Sequence, residues 1–315
     1  MKGRVHLVLG ALLALALATP ALAAGPTGYF VALEAKFLQP SNLKTGYVLN
    51  DPVDDFVPSG TLEDVEFDDE VSAKLWFGQS FGNSGWAVSY WSYDEEASDS
   101  RAAASGGELW TTLHHPAEIF FPVTGPSSAR VGLEADTIDA FYWRRVVDDE
   151  KMHLSWYSGL RHATLDYGLR VAYDDFGDLF TANYISEAEG LGMIGGLRGS
   201  MRVGEGWYVN GNIGYSYMMG DIDSSTTMTS DFDFVFSTLD VAKEEDRSMS
   251  TLDLGCSVSW HVTDRWMLSL GYEFSRWENV VDRTLFVDDF NLTQVAHETF
   301  DVNWDGFTIS AGVIF

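Results

Sequence analysis

Three features of this sequence predict an all-β fold: a transmembrane antiparallel β-barrel of about ten strands. The first is a hydrophobic period of two. In WYVNGNIGYSY (207–217), Trp207, Val209, Ile213, Tyr215 and Tyr217 share one face, and Tyr208, Asn210, Asn212, Gly214 and Ser216 share the other. Such alternation marks a strand with one apolar face. The second is the spacing of connections, which alternate between four tight turns and five long segments. Short turns on one side and long loops on the other are the mark of a barrel in an outer membrane. The third is the closing stretch GFTISAGVIF, which alternates up to the terminal Phe315, where a soluble domain usually ends in frayed polar residues.

Taken in order, the chain opens with Lys2 and Arg4, an apolar run and the small-residue site Ala21-Leu22-Ala23. Residues 1–23 therefore read as a cleavable export signal. The run is shorter than the ~20 apolar residues of a spanning helix, and no cysteine follows the site to carry a lipid anchor. Residues 24–315 read as a single barrel domain. Strands are expected near 28–38, 66–80, 86–94, 135–146, 152–165, 188–202, 207–219, 249–262, 266–278 and 304–315. Most exceed the five or six residues usual in soluble sheets and suit the ~9–11 that cross a bilayer at a tilt. Tight turns fall at 81–85, 147–151, 203–206 and 262–265, and long extracellular loops at 39–65, 95–134, 166–187, 220–248 and 279–303. An even strand number puts both ends on the short-turn, periplasmic side. Trp86, Trp207 and Trp266 directly follow three of the turns, and Trp260 precedes the last. Amphipathic rings at one height form an interfacial girdle. A soluble sandwich would also alternate, but it explains neither the loop asymmetry nor the terminal ring.

Composition narrows the function. The chain carries 47 acids against 19 bases, a net charge of −28, which repels nucleic acid. Its one cysteine, Cys256, excludes an internal disulfide framework and alternates onto the apolar face. If the apolar faces meet lipid, the other faces place Glu34, Lys36, Lys74, Asp139, Arg145, Arg161, Arg198, Arg202, Asp253 and Glu273 in the lumen. The acidic excess then lies in the loops, with nine acids and no base in 51–70 and a second acidic stretch from Asp221 to Asp246. A lumen of mixed charge either flanks a channel and sets its selectivity or pairs across a narrow barrel and fills it. Glycines on the inner faces fit either state, because they also serve strand curvature.

FVALEAKFLQPS (30–41), EFDDEVSAKLWFGQSFGNSGWAVSYWSY (66–93), LSWYSGLRHATLD (154–166), EAEGLGMIGGLRGSMRVGEGWYVNGNIGYSYMMG (187–220), GYEFSRWENV (271–280) and the closing GFTISAGVIF follow one another in this chain. In that order they resemble the Legionella-type major outer-membrane protein family, over about residues 28–315. The resemblance implies a pore-forming outer-membrane barrel and brings no catalytic residues. The very acidic loops depart from the pattern and bear on pore size and anion permeability.

Sites of chemistry are sparse. His114–His115 is the only cluster that resembles the Asp–His pairs of barrel proteases, and it sits mid-loop. Ser259 and His261 share an inner face with Asp253, but no nucleophile motif surrounds them. No calcium-loop motif is present; the acidic runs at 51–56 and 174–180 are solvated loops that could gather divalent cations. The expectation is a narrow passive pore for ions or small solutes, with no enzyme activity and no cofactor. Its acidic mouth favours cations. The alternative is a non-conducting structural or surface-binding barrel acting through its loops. Expected partners are outer-membrane lipid and lipopolysaccharide, divalent cations at the acidic loops, and the assembly machinery. That machinery would read Phe307, Ile309, Ala311, Val313 and Phe315.

Overall fold

The alternation in the sequence becomes a closed ring of ten antiparallel strands. The computed structural model describes residues 27–52, 60–103, 107–113, 123, 125–175, 178–230, 238–286 and 295–315. Its strands are β1 (Gly28–Ser41), β2 (Gly46–Asp51), β3 (Thr61–Asp64), β4 (Glu70–Ser80), β5 (Ser84–Arg101), β6 (Glu108–Thr111) and β7 (Ser127–Asp148). They continue as β8 (Met152–Asp175), β9 (Asp178–Gly204), β10 (Trp207–Ser230), β11 (Thr238–His261), β12 (Trp266–Phe286) and β13 (Val295–Ile314). The barrel runs β1-β13-β12-β11-β10-β9-β8-β7-β5-β4, and β4 closes on β1. β2, β3 and β6 form a separate sheet ordered β3-β2-β6.

Turn chemistry fixes the short-turn end. Gly82 and Gly206 sit at φ +84° and +73°, a region open to glycine at little cost. The Asp149 carboxylate accepts from the backbone N–H groups of Lys151 and Met152 at 2.8 and 2.7 Å, and Thr263 Oγ1 accepts from those of Arg265 and Trp266. The other end differs from the sequence expectation. Most of what reads as long loop is strand, because the strands keep pairing above the membrane: β9 runs for 27 residues and β8, β10 and β11 for 24 each. Strand-to-strand pairing needs no apolar outer face, so polarity concealed these extensions.

The outer surface carries an apolar band. On β10, Trp207, Val209, Ile213, Tyr215, Tyr217 and Met219 are all exposed. Twelve residue steps at ~3.3 Å, tilted by ~45°, give a height of ~28 Å, close to the apolar band of such barrels. At its lower edge Trp207 stacks on Trp260 at 5.8 Å and Tyr142 meets Trp156 at 5.8 Å. At its upper edge the Tyr90 hydroxyl donates to Asp136 at 2.7 Å, and that of Tyr272 donates to Asp305.

The interior changes character with height. In the extracellular half, inward residues such as Val131, Leu133, Leu165, Leu169 and Val171 are fully buried, as are Tyr47 and Val48 of β2 and Leu109 of β6. All belong to one apolar cluster. β2 and β6 are therefore packed inside the barrel as a plug, with β3 exposed along its edge, and the described part of 39–65 is not wholly the external loop its charge suggested. Tyr173 and Tyr167 on β8 donate to the backbone oxygens of Tyr47 and Lys44. A second element closes in beside it. β11 and β12 pair only as far as Ser250 and Glu278. Beyond the register shift between Trp277 and Val281, with Asn279 at φ +60°, β12 bends inward. Val280, Val281, Asp282 and Thr284 there are all buried, so both faces of the strand are covered. Asp282 receives Ser224 of β10 and its own N–H reaches Ser186 of β9. Arg283 joins this lid to the plug through the Lys44 carbonyl at 3.3 Å.

Candidate functional site

Below the plug lies a lumen cavity of about 330 Å³. Glu34, Lys36, Lys74, Asp139, Arg145, Arg161, Arg198, Asp253 and Glu273 line it. Arg202 does not; it is exposed at the short-turn rim, where its Nε donates to the Gly204 carbonyl. The strand ends there, and the inward parity of Arg202 carries it past the cavity.

Inward alternation on neighbouring strands sets these charges in a paired layer. Arg161 on β8 donates through Nε and Nη2 to Asp139 on β7 at 2.7 and 2.9 Å, and through Nη1 to Asp253 and Thr251 on β11 at 2.7 Å each. Lys74 stands 3.6 Å from the same Asp139. Lys36 on β1 pairs with Glu273 on β12 and lies 3.8 Å from Glu34. Asp139 and Arg161 are almost wholly buried, with side chains 2% and 5% exposed. Each charge thus meets the opposite sign, as burial demands.

Three tryptophans lie between this layer and the apolar core. Trp91, Trp277 and Trp304 meet edge to face at 5.0–6.1 Å, and the Lys36 ammonium sits 5.5 Å from the Trp91 ring. Four other tryptophans are expected in the outer girdle from the sequence; these three face inward instead. Their signal was parity: Trp91 is one residue out of step with the outward Trp86, Val88 and Tyr90.

Beneath the charged layer the chamber has two unlike walls. Trp76, Phe141, Trp143 and Tyr157 form an aromatic one. Ser200, Asn210, Asn212, Ser257 and Ser259 form a hydrophilic one. Tyr157 lies over Gly196 and Gly214, and a Cβ at Gly196 would sit 2.6 Å from its ring. Those two glycines are needed for that close approach. Arg198 projects into the chamber with Trp76, Phe141 and Tyr157 at 5.0–5.2 Å from its guanidinium. Exposure rises toward the short turns, where Asn210 and His261 are only half-buried, so the chamber opens on the periplasmic side.

Other sequence candidates fall elsewhere. His114 and His115 lie outside the described residues. Ser259 Oγ accepts from the Asn210 amide at 2.9 Å and His261 meets the Tyr208 ring at a tilt, 4.6 Å away, so neither is aimed at the other. The acidic runs at 51–56 and 174–180 are described only in part; within them Asp51 is buried at the end of β2. On β13, Phe307 and Ile309 are exposed on the outside, as is Phe315 just past its end. Ala311 is half-buried, and Val313 is covered where it faces Trp266 and Val31 in the register. Cys256 is exposed on the same outer surface.

A family model described as the Legionella pneumophila major outer membrane protein precursor matches residues 24–315. Among solved structures, the chain is similar to the outer membrane protease OmpT from Escherichia coli: 11% identity, 94% of this chain and 99% of that one, TM-score 0.50. It also matches the toluene transporter TodX of P. putida, at 9% identity over 95% and 93% of the two chains, with a TM-score of 0.34. OprG from Pseudomonas aeruginosa matches at 12% identity over 91% and 98%, with a TM-score of 0.30. The OmpT likeness concerns the fold alone, and the other two are too distant to argue from. No curated protein sequence matches the chain.

Proposed function

The chain belongs to the family of the Legionella pneumophila major outer membrane protein, and from that premise we propose that it is a gated narrow pore of the outer membrane. The observation that carries this reading is the vertical division of the interior. A charge-lined cavity open to the periplasm is capped by a sheet that is not part of the barrel wall. A barrel that served only as a wall would gain nothing from keeping buried charges above a hydrated chamber, since each costs desolvation. The plug is built of strands of four to six residues, a sheet too small to be stable away from the wall. Its movement would let ions and small solutes pass the charged layer, with the acidic mouth favouring cations.

Planar-bilayer recording tests this. The intact protein is expected to be mostly silent. A variant with residues 42–69 replaced by a short Gly-Ser turn is expected to show single-channel steps that favour cations. Steady steps of equal size from both would remove the plug's gating role. A folded, silent plug-less variant would favour the second reading, a permanently closed structural barrel, which the cross-barrel pairing of Arg161 supports.

A further inference from the structure

Arg198 stands apart from the other lumen cations. Lys36, Lys74 and Arg161 each have carboxylates within 4 Å. Among the described residues, Arg198 has no ion pair and no hydrogen bond to protein; its only neighbours of note are the rings of Trp76, Phe141 and Tyr157. Aromatic faces hold a guanidinium in place, but they leave its five N–H donors without acceptors. A donor set of that kind is matched by a two-oxygen anion, which takes two parallel bonds at once.

The surroundings agree in sign. The four acids that line the cavity, Glu34, Asp139, Asp253 and Glu273, all belong to the paired layer above. Below it the described lining adds a second guanidinium, Arg145, whose acid is Asp148 at the end of β7, 3.6 Å away. The indole N–H of Trp143, under Arg145, is buried without a partner. Ser200 and Asn212 complete the opposite wall with neutral donors. Positive charge and unused donors meet in a chamber that a small solute can enter from the periplasm; the carboxylate beside Arg145, Asp148, is shared with His153, and Arg198 is left without one.

We infer that the periplasmic chamber binds a small phosphate- or carboxylate-bearing anion, with Arg198 as its principal contact. The inference rests on the reading of a lumen closed above and open below. Two sources share this chemistry: a free solute and the headgroup of an anionic lipid.

The test is calorimetric titration of the full refolded protein in a neutral, phosphate-free detergent. One arm uses inorganic phosphate and the other a short-chain phosphatidylglycerol. Saturable heat in either arm is expected, and the arm that responds identifies the source. Arg198→Gln should weaken binding at least tenfold. Ser200→Asp keeps the aromatic box and sets an acid two residues from Arg198 on the same face; it should weaken binding to a similar degree. A purely structural role for Arg198 would not make binding sensitive at Ser200. Retention of the fast-migrating, heat-modifiable form on gels shows that each variant is folded. No heat in either arm, or unchanged affinity in both folded variants, would overturn the inference. The plug stays in place throughout, so this outcome is separable from conductance. A silent plug-less barrel leaves the chamber's affinity standing, and an empty chamber leaves the gate standing.

Discussion

Replacing Arg161 with methionine probes the charged layer directly. The change removes three bonds to carboxylates, two to Asp139 and one to Asp253, and one to Thr251. Methionine keeps much of the volume, so a cavity adds little. The main cost is stranded charge. Asp139, 2% exposed, retains Lys74 at 3.6 Å and Ser89 at 3.4 Å; Asp253, 25% exposed, retains Ser275 at 2.6 Å. Removing one partner of a buried pair costs about 3–5 kcal/mol. Partial exposure of Asp253 and the remaining partners put the expected loss near the lower end, about 3 kcal/mol. Urea unfolding in lipid vesicles, followed by tryptophan fluorescence, measures it. The double variant R161M/D253N should recover about 1–2 kcal/mol, because the neutral amide no longer needs the guanidinium. An R161M barrel within about 0.5 kcal/mol of the wild type would show that the layer is hydrated and screened, and the pairing argument would be wrong.

Three further outcomes follow from other parts of the fold. Val48→Asp sets a charge at a position with no exposure in the plug; it should raise open-channel time in planar bilayers, and an unchanged silent record would count against the plug as a gate. Deleting Phe315, exposed at the lower edge of the apolar band, should lower the heat-modifiable membrane fraction several-fold and leave conductance per inserted barrel unchanged; equal insertion would refute an assembly role. Above the membrane, burial pushes the Tyr173 phenol up to about 12 and raises those of Tyr167 and Tyr184 as well. Tyr47 is raised by burial and then by Asp99. Unfolded phenols ionise near 10, so between about 10 and 12 the folded chain holds protons that the unfolded chain has lost. Stability conferred by the plug is therefore complete below pH 10 and declines above it. Tyrosinate absorbance should show a late-titrating group of phenols, and a single transition near 10 for every tyrosine would contradict the packing.

The wall of the barrel was legible because lipid imposes a rule at every second residue. Trp207 to Met219 cannot satisfy a bilayer unless odd positions are apolar, and that pattern fixed the strands, the tight turns and the closing strand up to Phe315. The same parity placed nine of the ten charges in the cavity. It gave no information on partners: nothing in the spacing says that Arg161 reaches Asp253, 92 positions away across the barrel, or that Arg198 reaches no acid. Above the membrane the rule lapses. Asp166, Glu187 and Asp223 sit on outward faces of paired strands, where charge is welcome, so they read as loops.

The plug shows why polarity misled most strongly between residues 39 and 70. Nine acids in 51–70 suggested a solvated loop, yet apolar residues before and among them do the packing. Tyr47 and Val48 precede the acids, and Val65 and Phe67 lie among them; all four belong to the core. Such a segment can be buried because its acids find partners at the rim, as Glu63 does with Arg101 and Asn50. In the same way the Glu298 carboxylate of β13 meets Lys44 and the lid's Arg283. Apolar packing holds the plug in the barrel, while salt-sensitive pairs at its edge hold it in register. Raising ionic strength weakens the second kind of contact and leaves the first in place. Salt should therefore increase brief openings in bilayer recordings without lowering the unfolding midpoint. A fall in that midpoint together with the openings would mean that the edge pairs, and not the packing, keep the plug in place.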